Sequence, residues 1–178
     1  ARHLTSVIQG RHRDSKVTFL DTSSPKKISA APHSTTAEIV AAMRSAQRIA
    51  VVAHVRPDGD AVGSVLGLAL SLRAMGKDVI AMLEDGVPAN LAFLPGTDTV
   101  IQPGTEPLNI DLAIALDTAT HERVGEKTKA LLDAAPLLVD IDHHPANPGY
   151  GALNLIVPKA EQVEIKIHAL KLLQFELE

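Results

Sequence analysis

The sequence contains no cysteine and no tryptophan, and aromatic residues make up only 2% of it. Without cysteine, disulfide scaffolds and thiolate metal sites are excluded, so any metal must be held by imidazole and carboxylate groups. Long apolar runs are also absent, because the runs at residues 49–53 and 110–116 are far shorter than the about 20 residues of a membrane-spanning helix. We therefore expect a soluble, cytoplasmic protein without a membrane partner.

Basic residues are scarce outside the N-terminus. Residues 1–33 contain six Lys or Arg and two acids, a net +4, whereas residues 34–178 contain 11 and 19, a net −8, which together give −4. Long duplex nucleic acid is normally bound through many basic contacts to phosphate, so an acidic body disfavours it as a partner. We expect a flexible basic N-terminal extension over residues 1–33 and a single domain over residues 34–178.

Helical and strand patterns alternate along residues 34–178. Thr35 and Glu38 form a capping-box pattern that begins the first helix. Helices are predicted at residues 35–47, 61–75, 126–134 and 160–173, with a short helical turn at 89–93. Strands are predicted at residues 48–53, 77–83, 99–102, 110–116, 136–141 and 152–157. This order predicts an α/β fold, a three-layer Rossmann-like domain with a mainly parallel sheet and helices on both faces.

Three polar clusters each follow a predicted strand. They are residues 54–60, Asp117 and residues 142–144. Ligands of open parallel sheets bind beyond the carboxyl ends of the strands, so these clusters are expected to converge. The four carboxylates in them would repel one another strongly, and divalent cations relieve that repulsion. The pattern therefore favours a metal site.

The spacing of these residues suggests how they would divide between two cations. If Asp117 bridges the pair His54 and Asp58 to the pair Asp60 and His143, two metals would lie about 3.5 to 4 Å apart, an arrangement suited to in-line displacement at phosphorus. Each fragment alone has a simpler interpretation. The Asp-Gly-Asp segment could be a surface turn, Asp117 could cap the next helix, and adjacent histidines could be exposed loop residues.

Several further residues have alternative interpretations. The helix expected to start near Ala61, with Gly63 and Ser64 in its first turn, could offer free N–H groups to a phosphate. Arg56 and Arg123 could contact phosphate or be solvated loop residues. Tyr150 is expected to pack against the sheet edge rather than stack on a base, and His121 and His168 to lie on the surface or on a helix face. Gly63 and Gly67 are expected to permit close packing of a helix on the sheet.

Three motifs carry a family resemblance. HVRPDGDAVGS at residues 54–64, LDTA at 116–119 and IDHHPAN at 141–147 resemble the first three motifs of DHH phosphoesterases. Within that superfamily the first motif is most similar to the nanoRNase and 3'-phosphoadenosine-5'-phosphate phosphatase branch, and FLPG at 93–96 and the Arg-Val-Gly segment at 123–125 agree. The resemblance extends over about residues 49–154.

The resemblance implies a centre of two Mn²⁺ ions. One ion would be held by His54, Asp58 and Asp117, and the other by Asp60, Asp117 and His143. His144 would meet the scissile phosphate or the leaving group, and Asp142 would fix the histidine loop. A water that bridges the metals would be the nucleophile. Substrate contacts are expected from Arg56, Ser64 and Arg123.

The activity implied is a metal-dependent hydrolase of short oligoribonucleotides, a 3'-5' oligoribonuclease or exonuclease, and/or of 3'-phosphoadenosine-5'-phosphate, so its partners would be small phosphorylated nucleotides. Alternatives are a cyclic-dinucleotide phosphodiesterase or polyphosphatase of the same superfamily, or a degenerate non-catalytic module that binds metal or nucleotide.

The chain departs from the family pattern at two places. Val157 stands where the branch usually has an aspartate, so the second metal is expected to be held more weakly. The family also carries a C-terminal, glycine-rich substrate domain, and this domain is expected to be missing from the chain. The domain of residues 34–178 would then be the DHH catalytic domain, completed by that substrate domain or by a second subunit.

Overall fold

The computed structural model describes residues 33–158. Of the predicted N-terminal extension it includes only His33, so that prediction, the helix predicted at residues 160–173 and the placement of His168 lie outside the described range. The longest described helix has 16 residues, and no helix in residues 33–158 is long and apolar enough to cross a membrane.

Six strands and three α-helices form the described domain, and both ends of each lie within two residues of the predicted ends. The strands are β1 Arg48–Val52, β2 Asp78–Met82, β3 Val100–Ile101, β4 Leu112–Leu116, β5 Leu138–Asp142 and β6 Leu153–Ile156. The helices are α1 Thr36–Ser45, α2 Gly59–Ala74 and α3 Glu126–Ala134, with 3-10 helices at Ala89–Leu91, Thr97–Thr99 and His121–Val124. The last two 3-10 helices were not predicted.

The strands form one parallel sheet in the order β3-β2-β1-β4-β5-β6. This topology confirms the predicted α/β class. The chain leaves β1 towards β2 on one side and later returns to β4 on the other, so the order reverses at β1 and β4. Such a reversal opens a crevice at the carboxyl edge of a doubly wound sheet.

Helices cover both faces of the sheet, as predicted. Side chains of β1 alternate, so that Ile49 and Val51 join the core beneath α1 and α2 while Ala50 and Val52 join the core beneath α3. Strand β1 is almost fully buried because both of its faces are covered, which explains its continuous apolar sequence.

Side-chain caps fix the helix starts. The predicted capping box of α1 is confirmed, because Thr35 Oγ1 accepts from Glu38 N at 3.2 Å and Thr35 N donates to Glu38 Oε2 at 2.7 Å. Helix α2 begins at Gly59, two residues before the predicted Ala61. The reason is Asp58, whose Oδ1 accepts from the N–H groups of Asp60 and Ala61 at 2.9 and 3.0 Å.

Helix α3 is capped from a distant strand. Its own N-cap, Gly125, has no side chain, and Glu84 just beyond β2 accepts from the backbone N and the hydroxyl of Thr128 at 2.9 and 2.7 Å. Gly125 has φ +98, and a Cβ there would clash with Glu84 Cγ. The glycine is required both by its conformation and by the close approach of Glu84.

The expectation for Gly63 and Gly67 is wrong. Within residues 33–158, a Cβ at either position would meet no atom within 4 Å, so neither glycine allows a close approach of α2 to the sheet. The helix instead packs through residues on its other faces, such as Val62, Val65 and Leu72.

Candidate metal centre

The three predicted clusters meet at the carboxyl edge of the sheet. His54 follows β1, Asp117 follows β4, and His143 follows β5, and these three strands are neighbours in the order β1-β4-β5. Parallel strands end at the same edge, so their following residues converge there. The sequence-predicted His and Asp residues are thereby brought into one group.

Asp117 lies at the middle of this group. It is 6% exposed and has φ +51, in the left-handed region that non-glycine residues rarely occupy. Its Oδ1 lies 3.1 Å from His143 Nε2, and its Oδ2 lies 3.8 Å from His54 Nε2. The alternative that Asp117 caps the next helix is wrong, because the following 3-10 helix has Thr120 at its N-cap position and no side-chain cap.

Two overlapping groups of potential ligands share Asp117. His54, Asp58 and Asp117 form the first, and each contributes one atom within 4.8 Å of the others. Asp117, Asp142, His143 and His144 form the second. Asp60 approaches the second group, because its Oδ2 lies 3.9 Å from His143 Nε2. The first group contains the three residues that the family resemblance implies for one metal.

The donor chemistry of both groups fits a divalent cation. Donor atoms bound at roughly 2 Å to one ion lie about 3 to 4 Å apart, which matches the 3.1 to 4.0 Å separations between the His nitrogens and the carboxylates of Asp58, Asp60 and Asp117. Burial raises the pKa of Asp117, against the opposing effect of His54 and His143. A bound cation would favour the ionised carboxylate that burial disfavours.

Asp58 both caps helix α2 and belongs to the first group of potential ligands. Its Oδ1 caps α2 and also lies 4.0 Å from His54 Nε2, and its side chain is 68% exposed. Because this carboxylate already accepts from Asp60 N and Ala61 N, the first turn of α2 has fewer free N–H groups for a phosphate than its sequence suggested.

His144 is held by Asp142. His144 Nδ1 lies 2.7 Å from Asp142 Oδ1, and Asp142 is 3% exposed whereas the His144 side chain is 42% exposed. The interpretation of the adjacent histidines as ordinary loop residues is wrong, because His143 contacts Asp117 and His144 contacts Asp142.

Two residues that sequence reasoning missed complete this region. Asn147 donates to Asp142 Oδ2 at 2.8 Å and to Asp140 Oδ1 at 3.2 Å. Asp140 is fully buried, its Oδ2 has no hydrogen-bond partner among the described residues, and burial raises its pKa to about 7. The available signal was an acid in an apolar strand, two residues before Asp142 and therefore on the same face of β5.

The three residues expected to contact substrate are placed differently from one another. Arg56 and Arg123 are exposed, and Val55 N donates to Arg123 O at 2.7 Å, so the loops that carry both arginines are joined. Arg56 has φ +53, and its N–H donates to Asp85 Oδ2 at 2.6 Å. Ser64 is buried, and its hydroxyl donates to Asp60 O at 2.6 Å.

Tyr150 packs, as predicted. It joins the core beneath α3, and its hydroxyl donates to Thr118 O at 3.2 Å. The ring of His121 stacks on it with centroids 5.2 Å apart, and His121 Nε2 lies 3.3 Å from Asp133 Oδ1. His121 is therefore a packed residue of a 3-10 helix, not the surface residue that was one expectation, because Tyr150 and Asp133 enclose its ring.

Val157 lies beside the histidine segment. Its N–H donates to Asp142 O at 2.9 Å, which places it at the carboxyl edge next to the end of β5, and it is 36% exposed. An apolar side chain thus occupies a partly open position at the edge that carries the candidate ligands.

Comparison with known proteins gives consistent matches. The model of the DHH family, N-terminal domain, matches residues 48–176. A Thermus thermophilus protein named bifunctional oligoribonuclease and PAP phosphatase NrnA is 34% identical over 110 residues, which are 62% of this chain and 32% of that protein. The Bacillus subtilis (strain 168) protein of the same name is 36% identical over 122 residues, 67% of this chain and 36% of that protein.

The chain thus spans about a third of the length of these curated relatives. The crystal structure of an exopolyphosphatase-related protein from Bacteroides fragilis superposes with a TM-score of 0.70 at 23% identity, covering 79% of this chain and 44% of that one, and supports the fold. With the family match extending over most of the chain and its three motifs gathered at one edge of the sheet, the chain belongs to the DHH family.

Proposed function

We propose that this chain forms the catalytic part of a manganese-dependent phosphoesterase that hydrolyses short oligoribonucleotides or 3'-phosphoadenosine-5'-phosphate. The observation that carries the proposal is the position of Asp117, whose two oxygen atoms face different histidines at 3.1 and 3.8 Å. A carboxylate shared in this way suits two neighbouring cations. The names of the curated relatives supply the substrate class.

The proposed ligands follow the two sides of Asp117. His54, Asp58 and Asp117 would hold one Mn²⁺, and Asp60, Asp117 and His143 the other. Ser64 would keep Asp60 in place through the bond from its hydroxyl to the Asp60 carbonyl. When bound, the cations would lower the pKa of water and stabilise charge on the phosphoryl group. Manganese suits this mixed set of imidazole and carboxylate donors in a chain without cysteine.

His144 and Asp142 would assist departure of the leaving group. The bond from His144 Nδ1 to Asp142 Oδ1 leaves Nε2 as the atom available to a substrate, and the partial exposure of His144 allows contact with one. A protonated Nε2 could give its proton to the leaving oxygen, while the buried Asp142 carboxylate stabilises the charged ring.

Arg56 and Arg123 would contact the substrate phosphates. Their loops are joined by the bond between Val55 N and Arg123 O, and both side chains are exposed. Arginine pairs well with phosphate because its planar group donates two hydrogen bonds at once. Two arginines on an otherwise acidic body favour a small anionic substrate over long duplex nucleic acid.

The proposal extends to domain organisation. Residues 34–178 would be the DHH catalytic domain, preceded by a flexible basic extension at residues 1–33. A substrate-binding domain or second subunit would supply further contacts, which agrees with the greater length of the curated relatives.

A hydrolysis assay tests the function. The chain, alone and joined to any sequence that follows it in its reading frame, is incubated with Mn²⁺ and either a labelled diribonucleotide or 3'-phosphoadenosine-5'-phosphate. We expect turnover that His143→Ala removes and His33→Ala retains, since His33 is exposed and belongs to neither ligand group. Equal rates in the wild type and His143→Ala would contradict the proposal.

One observation favours a second candidate function. Val157 places an apolar side chain where the family resemblance implies an aspartate, beside the end of β5. A weakened second site would suit a module that binds metal or nucleotide without hydrolysis. Tight binding of a single Mn²⁺ with no turnover in either form of the chain would support this candidate.

A further inference from the structure

Asn147 connects strand β5 with the turn that follows β4. Its Nδ2 lies 2.8 Å from Asp142 Oδ2, 3.2 Å from Asp140 Oδ1 and 3.2 Å from Thr118 O. Its Oδ1 accepts from Gly149 N at 2.8 Å. One amide group therefore contacts β5 and the turn that follows β4, and its shortest donor contact is to Asp142.

The contact with Asp142 bears directly on His144. Asp142 Oδ2 accepts from Asn147, and Asp142 Oδ1 lies 2.7 Å from His144 Nδ1, so both oxygens of a buried carboxylate are engaged. An ionised carboxylate only accepts hydrogen bonds, so the hydrogen between it and His144 belongs to Nδ1. A partner on one ring nitrogen fixes the tautomer of the ring, and Nε2 is then the free nitrogen.

The contact with Thr118 affects the turn that carries Asp117, the ligand proposed to be shared by both cations. Thr118 is fully buried, follows Asp117 directly, and its carbonyl accepts from both Asn147 Nδ2 and the Tyr150 hydroxyl. Asp117 occupies the left-handed region, a conformation that surrounding contacts must maintain. Asn147 therefore stabilises the turn that positions the Asp117 carboxylate.

We propose that Asn147 is a positioning residue, which sets the tautomer and orientation of His144 through Asp142 and holds the turn of Asp117. The inference rests on the proposed function, in which His144 meets the substrate. Asn147 contacts none of the five residues proposed to hold Mn²⁺, so its effect would pass through Asp142 and Thr118.

Asn154 provides a matched comparison. It is a buried asparagine of the same region, whereas Asn147 is half-buried, and it accepts from Gly151 N and donates to Gly151 O, both at 2.8 Å. These bonds hold a turn, and they reach neither Asp142 nor His144. A purely structural role for Asn147 predicts that its replacement behaves like replacement of Asn154.

Nitrogen-15 NMR of the imidazole rings separates these possibilities without metal or substrate. Spectra are recorded on the wild-type chain, Asn147→Ser, Asn147→Ala and Asn154→Ala, in buffer alkaline enough for the rings to be neutral. Serine retains a short acceptor for Gly149 N, so Asn147→Ser preserves the turn where alanine does not. Circular dichroism identifies the variants that remain folded.

We expect wild-type His144 to be protonated at Nδ1, and its Nε2 resonance to shift towards the protonated position in Asn147→Ser and Asn147→Ala but not in Asn154→Ala. In the hydrolysis assay with Mn²⁺, kcat of the Asn147 variants should fall roughly 10- to 100-fold with KM unchanged. A wild-type tautomer in folded Asn147→Ser, or the same shift in Asn154→Ala, would overturn the inference. If Asn147→Ser is unfolded while Asn154→Ala is folded, the inference is also overturned, since Asn147 would then have a structural role.

Failure of the proposed function gives a different result. A wild-type chain that hydrolyses no phosphate ester but shows the tautomer shift would contradict the function and leave the positioning contact supported. Hydrolysis without the tautomer shift would contradict the positioning role alone.

Discussion

His143 Nε2 lies 3.1 Å from Asp117 Oδ1 although 26 residues separate the two in sequence. On the other side of the same carboxylate, His54 Nε2 lies 3.8 Å from Oδ2. Because each oxygen of Asp117 faces a different histidine, the carboxylate divides the candidate site into two halves. Removing one histidine should therefore affect one half more than the other.

The first prediction concerns these histidines. His54→Ala and His143→Ala should each abolish one Mn²⁺ site and leave the other detectable by isothermal titration calorimetry, because each variant retains Asp117 and the ligands of the opposite half. His33→Ala should bind like the wild type. Loss of all binding in both single variants would argue against two separable sites.

Val157 provides the second prediction. Val157→Asp adds a carboxylate at the carboxyl edge beside Asp142, and added ligand charge increases cation affinity, so the weaker Mn²⁺ site should tighten by roughly tenfold. Val157→Asn is the control, since it has the shape of aspartate without the charge. Equal affinity in Val157→Asp and Val157→Asn would show that this position lies too far from the metals to matter.

The third prediction is a dependence of stability on pH. Burial raises the pKa of Asp140 to about 7, whereas the unfolded chain has the ordinary value near 4. Between these values the folded chain binds more protons, so the free energy of unfolding should fall as pH rises through this window, by at most about 4 kcal/mol. Urea unfolding at about pH 5 and about pH 8 measures the change.

Asp140→Asn is the matched variant for that measurement. It keeps the acceptor for Asn147 Nδ2 and cannot ionise, so its stability should change less between the two pH values. If both proteins show the same slope, the pH dependence comes from other groups.

The fourth prediction contrasts two glycines. Gly125→Ala should destabilise the fold by more than about 2 kcal/mol, because a Cβ there meets Glu84 and the residue has φ +98. Gly67→Ala lies inside α2, where a Cβ would meet none of the described residues within 4 Å, and it should stabilise by about 0.5 to 1 kcal/mol. Thermal unfolding of both variants distinguishes these effects, and a destabilised Gly67→Ala would reveal a packing role after all.

Much of the fold could be predicted from local patterns. Strand β1 is a run of β-branched and small residues because both of its faces are covered, and the capping box of α1 is visible as Thr35 and Glu38. The candidate ligands could be predicted because they directly follow strands whose ends converge. These features depend on neighbours in sequence.

Other features depend on contacts between distant residues. Glu84 caps α3 across more than 40 residues, and neither helix nor strand periodicity encodes that contact. Asn147 lies within the third motif, but the sequence alone indicates no role for it, because its partners Asp142, Asp140 and Thr118 become neighbours only when β4 and β5 pair. The predicted start of α2 differs from the observed one because Asp58 is both a potential ligand and the N-cap of the helix.

The central claim is that Asp117 joins two cation sites, and titration of the metal-free chain with Mn²⁺ tests it most directly. The account predicts two binding events in the wild type and none in Asp117→Ala, with circular dichroism showing that the variant remains folded. No binding by the wild type, or two undiminished events in Asp117→Ala, would contradict the account.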